Sequence, residues 1–126
     1  MLVLDSGGVS RLARRTTGSA ALIAALRARD LWPPAVPSVV LVEALTSRPG
    51  QDANENRLLK ACQLVEAVPV ATARRAAALR SRAGRGSAVD AVVVAVAEPG
   101  GTVLSGDVGD LRALADHAYG VTVERV

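Results

Sequence analysis

The chain has 126 residues, half of them hydrophobic, enough for one domain with a core of its own. Fifteen basic and 12 acidic residues give a net charge of +3 and a pI near 10.0, and Lys60 is the only lysine, so the positive charge is almost all arginine, a side chain suited to phosphate. A single cysteine, Cys62, excludes an internal disulfide and a multi-thiolate zinc site, and Trp32 and Tyr119 as the only members of the Phe, Trp and Tyr set disfavour a base-stacking platform.

Short apolar runs alternate with longer helical patterns, with no low-complexity linker and no internal repeat. Met1 to Asp5 reads as a buried strand closed by Ser6, Gly7 and Gly8. The start MLVLDSGG has no basic n-region and carries Asp5 where a signal peptide is apolar, which predicts a cytoplasmic protein. Ser19 to Asp30 puts Leu22, Ile23 and Leu26 on one helical face before Pro33 and Pro34 stop it. A brief strand over Ala35 to Ser38, helices over Val39 to Thr46 and Ala53 to Cys62, and a strand over Leu64 to Pro69 follow. Thr72 to Ala83 is a helix with arginines on its outer side, broken at Gly84 to Gly86. Ser87 to Glu98 is a nearly all-apolar helix ended by Pro99 and Gly100; its run Ala91 to Ala97 is far too short to span a bilayer. Strand Thr102 to Ser105, a short helix Val108 to Ala115 and a strand Val121 to Arg125 complete the chain. The predicted fold class is α/β, a single domain over 1–126 with a mostly parallel sheet of four to five strands covered on both faces.

Five carboxylates, Asp5, Glu43, Asp90, Asp107 and Asp110, sit just after or inside strongly apolar segments, with no basic residue interleaved. An ionised carboxylate buried without a partner costs several kcal/mol, so acids in such places converge on a cation. Asp5 and Asp107 leave the carboxyl ends of strands, where open α/β sheets bind ligands, and Glu43, Asp90 and Asp110 lie in or near the first turns of helices. Parallel strands would bring all five to one edge. Each acid also has a purely local reading. Asp90 completes a capping box with Ser87, Asp107 and Asp110 suit a helix start, Asp5 forms a turn before glycine, and Glu43 belongs to a surface stripe. If the five hold metal, the remaining seven acids face 15 basic residues, and the outer surface is cationic, fit for an anionic polymer or simply solubilising.

The segments Leu4-Asp5-Ser6, Pro37-Ser38-Val39-Val40-Leu41-Val42-Glu43, Val89-Asp90-Ala91 and Leu104-Ser105-Gly106-Asp107-Val108-Gly109-Asp110-Leu111 occur in that order along essentially the whole chain. In them the chain resembles the PIN-domain family, specifically VapC-type toxin ribonucleases of bacterial toxin–antitoxin pairs. The resemblance implies a PIN-like three-layer α/β/α fold. It also implies an acidic pocket in which Asp5, Glu43, Asp90 and Asp107 hold one or two Mg²⁺ or Mn²⁺ ions, with Asp110 auxiliary and Ser6 and Ser105 hydrogen-bonding nearby. The implied activity is endonucleolytic hydrolysis of RNA leaving a 5′-phosphate, in the cytoplasm and away from any membrane. The implied partners are a cognate VapB-type antitoxin, in a toxin–antitoxin hetero-oligomer, and a second copy in a homodimer. Leu22, Leu26, Leu58 and Leu59 exceed what one core is expected to place and are candidates for those interfaces. Gly7-Gly8 departs from the family, where a small or branched apolar residue is usual, and predicts a looser loop beside Asp5. The alternatives are a catalytically silent PIN-like module that binds RNA or protein, and a receiver-type domain, which the mid-chain Lys60 and the isolated Asp5 disfavour.

Overall fold

The computed structural model describes residues 1–126. Five strands form one all-parallel sheet: β1 (Leu2–Leu4), β2 (Ala35–Pro37), β3 (Gln63–Val65), β4 (Thr102–Ser105) and β5 (Thr122–Arg125), in the order β3-β2-β1-β4-β5. The helices are α1 (Ser6–Ala13), α2 (Thr17–Ala28), α3 (Leu41–Ala44, preceded by a 3-10 turn at Ser38–Val40), α4 (Ala53–Leu59), α5 (Val70–Ala83), α6 (Ala88–Ala97) and α7 (Gly109–Ala115). The chain first winds outward from β1 to β3, then crosses back to β4 and outward again to β5. Right-handed crossovers therefore put α1–α4 on one face and α5–α7 on the other. The observed packing agrees, with α1 against β1, β4, α2, α3 and α4, and α6 against β1, β2, β4, α5 and α7. The result is the three-layer α/β/α fold. No helix is long and apolar enough to cross a membrane.

A strand covered on both faces has no solvent side, which is why Leu2-Val3-Leu4 is apolar without alternation and fully buried. It lies at the centre of a cluster of 23 buried residues. Leu26, Leu58 and Leu59 belong to that cluster and Leu22 packs against it, so these leucines are core residues rather than a surplus left for a partner. Cys62 is half-buried; it donates to the Leu58 carbonyl at 3.4 Å, and burial pushes its thiol up to about 11.

Ser6-Gly7-Gly8 does not close β1 with a loop but opens α1, a helix absent from the sequence reading. Two consecutive glycines read as helix breakers, yet here they answer a tertiary demand. A Cβ on Gly8 would lie 2.4 Å from the Leu104 carbonyl oxygen, and one on Gly7 would lie 2.9 Å from the Gly106 nitrogen. The missing side chains let the first turn of α1 sit directly on the end of β4, so the pair tightens this corner instead of loosening it. Gly8→Ala is expected to cost about 1–3 kcal/mol by overpacking, lowering the thermal midpoint by several degrees. Gly50→Ala, where a Cβ meets nothing within 4 Å, is expected to stay within about 0.5 kcal/mol; equal midpoints for the two variants in thermal unfolding would refute the close-packing account.

Candidate functional site

The sheet order reverses direction between β1, whose chain leaves toward β2, and β4, whose chain leaves toward β5. The crevice beyond the carboxyl ends of such a strand pair is where open α/β sheets place ligands. Leu4 pairs in register with Leu104, so the next residues, Asp5 and Ser105, stand side by side at that crevice. The Ser105 hydroxyl donates to Asp5 Oδ2 at 2.5 Å, and the Gly8 amide donates to Asp5 Oδ1 at 2.8 Å, making Asp5 the N-cap of α1. Asp5 is 9% exposed and Ser105 fully buried.

Burial pushes the Asp5 carboxyl above its ordinary range. The hydrogen bonds from Ser105 and Gly8 pull it down, the negative charge of Asp90 adds to the rise, and the Gly7 amide opposes it weakly. Asp90 thus stands close enough to act on Asp5 through charge. It is half-buried in the first turn of α6 and held by the predicted capping box: its amide donates to Ser87 Oγ at 3.0 Å and its Oδ2 accepts from the Ser87 amide at 3.3 Å. Asp107 hangs on the same serine as Asp5. Its amide donates to Ser105 Oγ at 3.0 Å, while its exposed carboxylate accepts from the Gly109 amide at 3.4 Å.

Glu43 is exposed and makes no hydrogen bond or ion pair, in a four-residue helix whose neighbour Val42 is 80% exposed. Val40 is fully buried and Leu41, Ala44 and Leu45 pack against the core, so the run Val39 to Leu45 is covered on one side only, with Val42 and Glu43 on the exposed side as the surface-stripe reading of Glu43 expects. Its place in the fold still brings Glu43 toward the same edge, since α3 packs on α1 and the turn before it packs on α6. Ser6 forms no side-chain hydrogen bond, unlike Ser105.

Asp110 differs from the other four. Arg85 Nε donates to its Oδ1 at 2.6 Å, in an ion pair whose side chains are 59% and 45% exposed. The sequence reading, which saw no basic residue among the acids, missed this pairing because 25 residues separate the two. An exposed pair of this kind contributes about 0–1 kcal/mol. Asp5, Glu43, Asp90 and Asp107 have no ion-pair partner; the other two ion pairs, Arg29–Glu124 and Arg75–Glu98, lie elsewhere.

The donor chemistry of these four is all hard oxygen, which suits Mg²⁺ or Mn²⁺ and not a thiolate- or imidazole-seeking metal. Each of the three carboxylates held by hydrogen bonds retains unused lone pairs. The spacing is looser than the chemistry: no three acids stand close enough to hold an ion as they are, and none of the five concavities in the surface is lined by any of them.

No protein-family model matches the chain, and no curated protein matches it. Among solved structures it is similar to the crystal structure of PAE2754 from Pyrobaculum aerophilum, with a TM-score of 0.62 and 17% sequence identity over 97% of this chain and 82% of that one. At that identity the likeness concerns the fold, and it agrees with the α/β/α architecture.

Because the folded state keeps the Asp5 proton to higher pH than the unfolded chain does, ionising Asp5 lowers stability as the pH rises through that raised value. Asn fits the same place, since its Nδ2 can donate to Ser105 Oγ, whose single proton then turns wholly to the Asp107 carbonyl at 2.9 Å. In EDTA, Asp5→Asn is expected to match wild type near pH 4 and to melt higher than wild type by a few degrees near pH 7.5. A midpoint well below wild type at neutral pH would show that the carboxylate is stabilising.

Proposed function

We propose that the chain is a divalent-cation-dependent endoribonuclease of the VapC type, acting in the cytoplasm and held inactive by a VapB-type antitoxin. The observation that carries this reading is that the buried Asp5 carboxyl at the end of β1 is acted on by the charge of Asp90 and shares Ser105 with the backbone of Asp107, none of the three having a cationic partner. Proteins rarely leave a buried carboxylate opposed by a second one unless a cation or a proton answers it. The four family-like segments, in family order along the chain, and the arginine-rich surface support the same conclusion.

On this reading Asp5, Asp90 and Asp107 hold Mg²⁺ or Mn²⁺, with Glu43 closing the site from α3 and Asp110 standing by in its ion pair. Such an ion supplies Lewis acidity to the phosphodiester and neutralises the acids around it. The protein's share is positioning. Gly8 and Ser105 fix both oxygens of Asp5, the capping box fixes Asp90, and Ser105 fixes the backbone from which Asp107 projects. Rigid hydrogen-bonded ligands of this kind lower the cost of assembling a site around its ion. A homodimer and a toxin–antitoxin hetero-oligomer are the assemblies in which such a chain works.

A second reading, a catalytically silent PIN-like module that binds RNA or protein, is favoured by the open spacing of the acids. Incubation of purified protein with total cellular RNA separates the two. The endonuclease is expected to make discrete cuts with Mg²⁺ or Mn²⁺, none with EDTA, and at least about 100-fold fewer with Asp90→Asn. Mn²⁺ is also expected to raise the thermal midpoint of wild type and not of Asp5→Asn. Binding without cutting, with both metals supplied, would establish the silent module instead.

A further inference from the structure

Next to the acids lies a feature of opposite sign. Gly84, in the left-handed conformation at φ 66°, ends α5, and Gly86, at φ 96°, turns the chain into α6. A side chain at 86 would start 2.7 Å from Leu114 Cδ1, so this turn is pressed flat against α7. Between the end of α5 and the turn lies a cleft of about 410 Å³ lined by Ala77, Arg80, Ser81, Gly84, Arg85 and Gly86, with no acid among them.

The two arginines are aimed but not saturated. Arg80 spends only Nε, on the Gly86 carbonyl at 3.0 Å, and Arg85 spends only Nε, on Asp110. Their Nη1 and Nη2 groups have no hydrogen-bond partner in the protein, leaving the terminal faces that grip phosphate oxygens in pairs. Arg85 Nη2 lies 3.6 Å, and Asp107 Oδ1 3.9 Å, from the point where a side chain on Gly109 would begin. The basic cleft and the acidic edge therefore meet across one glycine.

We propose that Arg80 and Arg85 form a phosphate-binding cleft that seats a backbone phosphate of single-stranded RNA beside the acidic edge, with Asp110 restraining Arg85 until the phosphate displaces it. The proposal rests on the ribonuclease reading for its ligand and on the cleft alone for its residues. Asp110 thereby acts as a competitor for the arginine rather than as a ligand of the ion.

Fluorescence anisotropy with a fluorescein-labelled single-stranded RNA oligonucleotide, in EDTA and low salt, tests it without any cleavage. Arg85→Ala is expected to weaken binding about 5–10-fold and to reduce the slope of log affinity against log salt by about one, and Arg85→Lys to recover part of the loss. Asp110→Asn is expected to act in the opposite direction, tightening binding about 2–5-fold by freeing the guanidinium and removing a negative charge. Arg15→Ala, exposed beyond the far end of α1 and so at the opposite edge of the sheet, is expected to change little. Arg80→Ala is expected to weaken binding as Arg85→Ala does, and if it proves unfolded by thermal melting the Arg85 and Asp110 variants decide alone. Equal losses for Arg15→Ala and Arg85→Ala, no effect of Arg85→Ala, or no binding by wild type would each overturn the cleft. Wild type that binds through Arg85 but never cuts the same RNA with Mn²⁺ would retain the cleft and remove the ribonuclease reading; wild type that cuts while Arg85→Ala binds normally would do the reverse.

Discussion

The hydrogen bond from Ser105 to Asp5 is the point from which the rest of this corner is organised. It joins the first strand to the fourth across 100 residues, at the place where the sheet changes its direction of winding. Three features make it possible. The parallel register sets the two residues side by side, Gly8 lets α1 descend onto β4, and the same hydroxyl anchors the turn that carries Asp107. Magnitudes show what kind of bond it is. An N-cap contributes about 1 kcal/mol and a hydrogen bond to a charged group about 1.5–3 kcal/mol, whereas desolvating a carboxylate costs several. The cost exceeds the gain, in agreement with the upward shift of Asp5. The arrangement holds the Asp5 carboxyl in a fixed place while it caps α1, at a cost that a proton or a cation would relieve.

The local reading of the acids does not compete with the proposed one. Asp5 caps α1 and Asp90 completes a capping box, as the helix-start reading of Asp90 expected. A helix N-terminus already favours negative charge, so a chain that needs carboxylates at a sheet edge loses least by placing them where they also serve as caps. That economy explains why each acid, taken singly, looks ordinary in the sequence. It also explains why Glu43, which caps nothing, is the least fixed of the group.

Much of the architecture is legible in the sequence because short apolar runs and 3.6-residue periodicity are local signals. Strand Thr102–Ser105 appears with its predicted bounds, and the other strands and predicted helices appear within a few residues of theirs. The failures are long-range. α1 is invisible because Gly7 and Gly8 lower helix propensity, and only contact with Leu104 and Gly106 gives them a purpose. The pairing of Arg85 with Asp110 is invisible for a similar reason: an arginine between two glycines reads as a solvated turn until the fold brings α7 beneath it. Tyr119 is 69% exposed with the Arg75 guanidinium over its ring at 4.7 Å, a contact that again depends on distant chain segments. Of the site, the acids and their order are legible, while their distances are set by side-chain packing that no periodicity records.

The open acidic edge and the arginine cleft make more sense together than apart. An acidic edge alone repels phosphate, and at physiological salt that repulsion extends over about 8 Å. A basic cleft alone attracts any polyanion and fixes no chemistry. Meeting across Gly109, the two lie within about one screening length, so the field of each acts on the other. On the proposed reading a cation reverses the sign of the edge and adds its attraction to that of the arginines; without the cation the acids offset them. The Arg85–Asp110 pair, exposed and weak, then sets how much of that attraction is available before anything binds. Seen this way, the 84–110 segment is one electrostatic unit, in which the turn at Gly84–Gly86, the capped start of α6 and the turn after β4 each contribute a charge, and the flat contact between Gly86 and Leu114 keeps those charges in register.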